Sequence, residues 1–450
     1  MQADSLPSAD KALPSSSLFP ALTESRWARL TIVMLLYFMQ GVPTGLILIA
    51  IPAWLAANGA TPLIVGAYVG TAMFPWSIKL FMGLFMDRFT YRPMGRRRSW
   101  ILFAQTGMVL TFIALAILSP TADQVQLITA LAFGLVLSAV FNDVAVDSMT
   151  IDLVPLEERA TVNSAMFAAQ TVGISASGFL SGQLLASSGM APVAILLGSC
   201  VILTSIVIMM FRERPGERLL PWSRGAASAE CMALQHEAWG PIFRGIGRAL
   251  RKPATLFFIL GMTFSYATFA FTDAVAPTLA VQQLGWSDSD YSQYASLISL
   301  ISAGIVAIST TWLVKWVGIR RAMLLIGSVV IGGSLFAALT YGGWEDGRIF
   351  ATVYFLQYCF ALLLQIVLIV WAMRLCNPAV AASLFAMFMA VPNFGRSLLS
   401  GASGWVIEGY GYEGAYMAVV LVMTIALTLC LIGGVGKEPK EVEMPDQAHI

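Results

Sequence analysis

Apolar residues in this chain follow neither a period of 3.6 nor a period of 2. They run on in blocks of about 20 or more, separated by short polar segments. A block of that length crosses the ~30 Å of hydrocarbon in a bilayer as one helix. Such blocks begin near Leu30, Leu63, Trp100, Val125, Val162, Pro192, Thr255, Tyr291, Ala322, Ile349, Ala379 and Ala415, and the pattern predicts twelve membrane-spanning helices in an all-α fold. Residues 1–25 are polar and rich in Ser and Pro, which predicts a disordered tail. The apolar run after them is too long for a signal-peptide core.

Composition agrees: 58% of the 450 residues are apolar, 11% are charged and mean hydropathy is +0.77, against about 25% charged in soluble domains. The net charge is +1 and the basic residues sit in short segments, which sets a nucleic-acid partner aside. Five cysteines are scattered singly and there are two histidines, so the reading expects no metal, no cofactor and no disulfide framework. No Cys/His or Ser/His pairing lies within a span, which argues against an enzyme.

Loop charge sets the orientation, because cytosolic loops carry the excess of Lys and Arg. With the N-terminus inside, Lys79 and Arg396 lie within spans and Arg348 is the one basic residue in an outer loop; the remaining Lys and Arg are cytosolic. Both termini are expected on the cytosolic side. The Arg- and Pro-rich stretch 212–253 divides the spans six and six. The expected organisation is a bundle over 26–211, a cytosolic linker over 212–253, a second bundle over 254–435 and a tail over 436–450.

The halves repeat. "GLFMDRFTYRPMGRRR" after the second span is echoed after the eighth by "TWLVKWVGIRR", with Lys315 in place of the aspartate. At an offset of 222, Gly173 and Gly182 of the fifth span correspond to Gly395 and Gly404 of the eleventh, and Pro155 and Pro378 open the two helices. Within the first of these loops Asp87 closes the second helix at its C-terminal end, where the helix dipole disfavours an acid by roughly 0.3–1 kcal/mol. Its partner should therefore lie on another element.

The run Gly83, Asp87, Arg88, Gly95, Arg96, Arg97 resembles the signature loop of the major facilitator superfamily, with extra residues between Arg88 and the glycine. The resemblance implies two six-helix bundles with a substrate site near the midplane. It also implies that Asp87 latches an inner gate against the start of the eleventh helix, here Asn377-Pro378. A surface-exposed Asp in an ordinary topology loop is the plainer alternative.

Charges inside the bilayer cost several kcal/mol and mark functional candidates. Asp143 and Asp147 are four apart and share a face of the fourth helix, and depth counted from the cytosolic loops places Lys79 beside them. This network reads either as a structural pair or as part of coupling. Asp273, four residues before Pro277, sits mid-span in the seventh helix at the depth of Arg396 in the eleventh. Asp273 reads as a site of reversible protonation or as a permanent partner of Arg396, and Arg396 as a grip for carboxylate or phosphate. Gln40, Gln170, Gln357, Gln365 and Asn393, with Trp54, Tyr266, Tyr354 and Trp371, line the same spans as candidate substrate contacts or helix-to-helix links. Gly41/Pro43 and Ile51-Pro52 mark flexible points of the first helix or tight packing.

The stretches "YFMQGVPTGL", "PWSIKLFMGLFMDRF", "GRRRSW", "FNDVAVDSMTIDLVPLEERA" and "GISASGFLSG" resemble the peptide/acetyl-coenzyme A transporter group. That group includes AmpG-type muropeptide permeases, the eukaryotic acetyl-CoA transporter and, nearby, siderophore importers. Lys79, Asp87, Asp143 and Asp147 fall on its motif positions, while "FND" stands where the group commonly has "QD". Together with the buried charges, the resemblance leads to the reading of a monomeric, multi-pass permease of a bacterial inner membrane that imports an organic anion together with protons. A muropeptide is the first substrate, a siderophore or a coenzyme thioester the alternative. A non-transporting sensor or scaffold is the rival from another class.

Overall fold

The computed structural model describes residues 20–436, apart from 156, 234–239, 241–243, 245–246, 249, 345–346 and 376–380. Twelve helical spans, α1–α12, make up nearly all of it. α1 runs over Arg26–Ala57, α2 over 62–88, α3 over Arg98–Leu118, α4 over Val125–Leu153, α5 over Arg159–Ser188 and α6 over Met190–Met209. The second half comprises α7 over Pro253–Gln283, α8 over Asp288–Val317, α9 over Ile319–Thr340, α10 over Gly347–Leu375, α11 over 381–410 and α12 over 412–432.

By length and apolar content alone, ten helices among the described residues qualify as spans. Two features raise the number to twelve. The longest helix is two, joined where Gly411 takes φ +69 and interrupts the helical backbone. And α5, 30 residues long, reaches about 45 Å at 1.5 Å per residue although Ser164, Gln170, Thr171, Ser175, Ser177 and Ser181 dilute its hydrophobicity. A helix wrapped by protein on both sides does not need the apolar density of one that faces lipid.

The breaks inside spans follow from proline. Pro52 has no N–H to give, and α1 widens into a π-turn over Leu46–Ala50 just before it, so the i−5 carbonyl of Ile47 is left open. The hydroxyl of Tyr68 on α2 donates to that oxygen at 3.2 Å. α7 carries a matching break: it bends around Val275-Ala276-Pro277 and closes with a π-turn over Leu279–Gln283. The other candidate flexible point, Gly41, is a packing site. A Cβ there would lie 2.2 Å from the backbone oxygen of Gln170, so α1 and α5 meet backbone to backbone.

The halves meet closely at the end that carries the α1–α2 and α7–α8 loops, away from the basic loop. A Cβ on Gly66 would lie 2.6 Å from the carbonyl oxygen of Ser400, and one on Gly70 2.6 Å from that of Ser397. Ser397 donates its hydroxyl to the Gly70 carbonyl. Gly182 of α5 meets Ser292 of α8, and Gln282 at the foot of α7 donates to the carbonyls of Ala56 at 2.9 Å and Ala60 at 2.8 Å, at the end of α1 and in the loop beyond it. Small residues let these backbones approach, and dispersion plus hydrogen bonds hold them where lipid offers no hydrophobic drive.

Candidate functional site

Three polar clusters are built on this frame. The first is the basic loop between α2 and α3. Gly95 adopts φ +97, and a Cβ there would fall 2.5 Å from Cδ of Glu213. The bare backbone lets the Glu213 carboxylate reach the free N–H groups that open α3. It accepts from Arg96 at 2.8 Å, from Arg97 at 2.8 Å and from Arg98. An acid at a helix N-terminus meets both the orphan donors and the positive end of the dipole.

The arginines of the loop serve the same assembly. Arg98 is 1% exposed, and its guanidinium donates to the carbonyls of Ile208 and Met209 that close α6, at 3.2 and 3.0 Å, and to those of Arg218 and Leu219. Arg96 donates to both oxygens of Asp152 at the end of α4, 3.3 Å each, and Arg97 lies 3.6 Å from the same carboxylate. The first part of the expected linker, 212–233, is thereby folded onto the loop: Arg218 N–H donates to Pro93 O at 2.7 Å, and Leu22 N–H to Arg212 O at 2.8 Å. Burial pushes the Glu213 carboxyl up from its ordinary value, against the pull of its three N–H donors. Burial and then the neighbouring charge of Glu213 push Glu217 up to about 7, opposed by the Ser228 hydroxyl, 2.9 Å away, and the Arg214 N–H. Gly83 packs α2 against Val144 of α4, and Arg88 is exposed. The side chain of Asp87 and all of Asn377-Pro378 lie outside the described residues.

The second cluster joins α1, α2 and α4. Asp143 and Asp147 stand one turn apart on α4, and the Lys79 ammonium contacts both, reaching Asp147 at 3.0 Å. Gln40 donates its amide to Asp143 and Tyr37 its hydroxyl to Asp147. Tyr37 was not among the residues the sequence singled out, although it precedes Gln40 by three and so shares its face. The Asp143 side chain is 5% exposed and that of Asp147 36%. One carboxylate is therefore sealed and the other reaches open space.

The third cluster lies in the second half. Arg396 of α11 donates from Nε at 2.8 Å and from Nη2 to one carboxylate oxygen of Asp273 on α7, and its guanidinium lies over the Phe269 ring, 5.2 Å from the centroid. Tyr266 and Tyr358 flank Phe269 edge-on at 6.0 Å each. Gln365 donates to the Tyr266 hydroxyl at 2.6 Å. The other candidates point elsewhere. Gln357 donates to Ser334 of α9 at 2.9 Å and Asn393 to the carbonyl of Met389 on its own helix at 2.8 Å, so both amides are spent within the second half. Gln170 is half-buried beside α1, while Trp54, Tyr354 and Trp371 are buried.

Comparison with known proteins places this geometry. The chain is similar to the anhydromuropeptide permease of Escherichia coli K12, 24% identical over 414 residues that cover 90% of this chain and 79% of that protein. Its backbone superposes on the nucleoside transporter NupG at a TM-score of 0.63 (16% identity; 91% and 99% of the two chains) and on a D-xylose-proton symporter at 0.66 (12%; 91% and 97%). These likenesses carry the fold, twelve helices in two six-helix bundles, and the family match that follows makes the chain a multi-pass membrane transporter rather than an enzyme. The family model described as Major Facilitator Superfamily matches residues 33–400, and the chain belongs to that superfamily.

Proposed function

We propose that the chain imports an organic anion of muropeptide type across the bacterial inner membrane by proton symport, its bundles 26–211 and 254–435 rocking about the buried polar clusters. The observation that carries the reading is the Asp273–Arg396 pair. A guanidinium held in mid-span by one carboxylate, with an aromatic face beneath it, is a site where a substrate anion takes the place of the protein's own acid. A permanent structural pair would be cheaper as two packed apolar side chains. The seal at the end away from the basic loop supports a state open toward the basic end, which the charge bias makes cytosolic together with both termini. Asp87 then serves as the gate latch at that end, meeting the start of α11 when the other state forms. The permease that the chain resembles supplies the solute class.

Uptake of labelled anhydromuropeptide into inverted and right-side-out vesicles tests this reading, with and without a proton uncoupler. Accumulation that the uncoupler collapses is the expected result. Uptake that survives uncoupling rejects symport, and failure to carry anhydromuropeptide, a hydroxamate siderophore or acetyl-CoA rejects transport of this solute class. Arg396→Gln should lower affinity for the anion at least about tenfold, the loss of one charge-assisted contact of ~1.5 kcal/mol or more.

A further inference from the structure

The two charged clusters inside the bilayer differ in their balance. Asp273 and Arg396 are one acid and one base, and both guanidinium contacts go to a single carboxylate oxygen. On α4, two acids face one base. Lys79 contacts both Asp143 and Asp147, and the remaining described partners of the two carboxylates are the neutral amide of Gln40 and the neutral hydroxyl of Tyr37. Among the described side chains, the other charged and titratable groups on the elements packed around α4 lie away from the cluster. On α1, Arg26 and Arg29 reach Glu158; on α2, Tyr68 donates to Ile47 and Arg88 is exposed; at the start of α3, Arg96 and Arg97 meet Asp152 and Arg98 meets carbonyls. With both acids ionised the cluster carries one uncompensated negative charge in a largely buried setting. One added proton brings it to neutrality.

Resting on the symport reading above, we propose that before the solute binds the transported proton is held by the Asp143–Asp147 pair, with Lys79 and Tyr37 as its partners, while Asp273 is charged against Arg396. This departs from the expectation that the lone mid-span acid of α7 titrates. That acid already has its counter-charge, and an acid with a full counter-charge gains nothing from a proton. Geometry also gives the proton a way in. Asp147, the more exposed carboxylate, takes it from water, and Asp143, one turn deeper, shares the same ammonium. Release is the reverse: the proton leaves the carboxyl for water, and Lys79 again faces two carboxylates. The coupling rule follows from the cost of enclosing net charge. The neutral cluster can be enclosed as the bundles rock over it, whereas the cluster with an excess charge keeps its water.

Infrared difference titration of the purified chain in nanodiscs, between about pH 5 and pH 9, reads carboxyl protonation without any solute. In a Glu217→Gln background, which removes the docked-segment carboxyl that also titrates in this window, the chain is expected to show one carboxylic C=O band that bleaches as pH rises. Asp143→Asn and Asp147→Asn should each abolish it, because either change leaves one acid fully matched to Lys79; Asp273→Asn should retain it. A band that persists in both α4 variants, or that vanishes in Asp273→Asn, overturns the assignment. Where the α4 variants do not fold, Lys79→Gln decides: two acids without a cation must hold their proton to higher pH, and a band unmoved in that variant refutes the proposal. In proteoliposomes with the membrane potential clamped, one proton per solute supports about tenfold accumulation of anhydromuropeptide per pH unit. Asp147→Asn should lose that accumulation yet keep counterflow. If the wild type does not carry the solute, the function proposed above fails and the infrared result still locates the proton.

Discussion

Replacing Gly95 by alanine tests the assembly at the basic loop. At φ +97 and ψ 171 the backbone occupies a region that is essentially reserved for glycine, and holding another residue there costs about 1–3 kcal/mol. The new Cβ would also stand 2.5 Å from Cδ of Glu213, inside any tolerable contact. Because that carboxylate is 1% exposed, it cannot swing away without giving up donors. Losing one hydrogen bond to a charged, buried group adds about 1.5–3 kcal/mol. The sum, roughly 2.5–6 kcal/mol, raises the local opening of the docked segment 212–233 by about two to four decades at 1.4 kcal/mol each. Cys231 reports that opening. Its thiol is 2% exposed in the docked segment, and burial pushes its pKa up. Its alkylation, followed by mass spectrometry of the peptide that carries it, should accelerate by at least about a hundredfold in Gly95→Ala and about tenfold in Glu213→Gln, which keeps the shape but drops the charge. In the double variant the effects should fall well short of additive, since both act on one contact. Unchanged Cys231 reactivity in both single variants would refute the claim that Gly95 is there to admit Glu213.

Glu217 gives the same assembly a pH dependence. Its folded value, about 7, lies above the unfolded one, so its contribution is fully present below about pH 4.5 and is lost as pH rises through 7; the thermal midpoint of the wild type should fall against that of Glu217→Gln over this window. Tyr68→Phe leaves the buried carbonyl of Ile47 without its donor, at a cost of about 1–3 kcal/mol, read as a lower thermal midpoint. Gln282→Ala frees the carbonyls of Ala56 and Ala60 and should raise labelling of a cysteine placed at Ala53 by aqueous thiol reagent from the α1–α2 side, while leaving helix content unchanged. Gly173→Ala drives a Cβ to 2.1 Å from the Phe38 carbonyl inside the first half and should destabilise the protein by more than about 2 kcal/mol, whereas Gly182→Ala meets Ser292 across the halves and should change accessibility more than the thermal midpoint.

Depth in the membrane was legible in the sequence, and direction around the helix axis was not. Each span covers the same thickness, so counting residues from a loop places a side chain along the normal, and that count puts Lys79 at the level of Asp143 although 64 residues separate them. Rotation is another matter. In a soluble helix an apolar stripe says which face turns inward; here lipid and protein interior are both apolar and the stripe disappears. Gln357 and Asn393 sit at useful depths, yet their amides turn to Ser334 and to Met389. Glu213 was illegible for a different reason. Nothing local marks it, because its partners are three backbone N–H groups that exist only once Gly95 has turned the chain and α3 has begun.

The internal repeat carried more than its glycines first disclosed. Gly173 and Gly395, matched at the offset of 222, do matching work: the first lets α5 touch α1 at Phe38, the second lets α11 touch α7 at Thr263, and both contacts lie within one half. Gly182 and Gly404 are the other matched pair. The first meets Ser292 of α8 and the second Leu63 of α2, and both contacts cross between the halves. One duplicated helix thus carries one small residue that fixes it to its own bundle and another, nine residues further on, that seals it against the other bundle. About two and a half turns separate them, enough to put the internal joint near mid-membrane and the seal toward the end away from the basic loop. The charged clusters break the symmetry that the glycines keep. Lys79, Asp143 and Asp147 have no acidic or basic counterparts in the second half's repeat of those helices, α8 and α10, among the described residues in mid-span, while Arg396 of α11 has none in α5. The duplicated scaffold gives both halves the same glycine joints. The excess acid on one side and the guanidinium on the other are where the halves diverged, and the proposed symport uses that divergence, one half for the proton and the other for the anion.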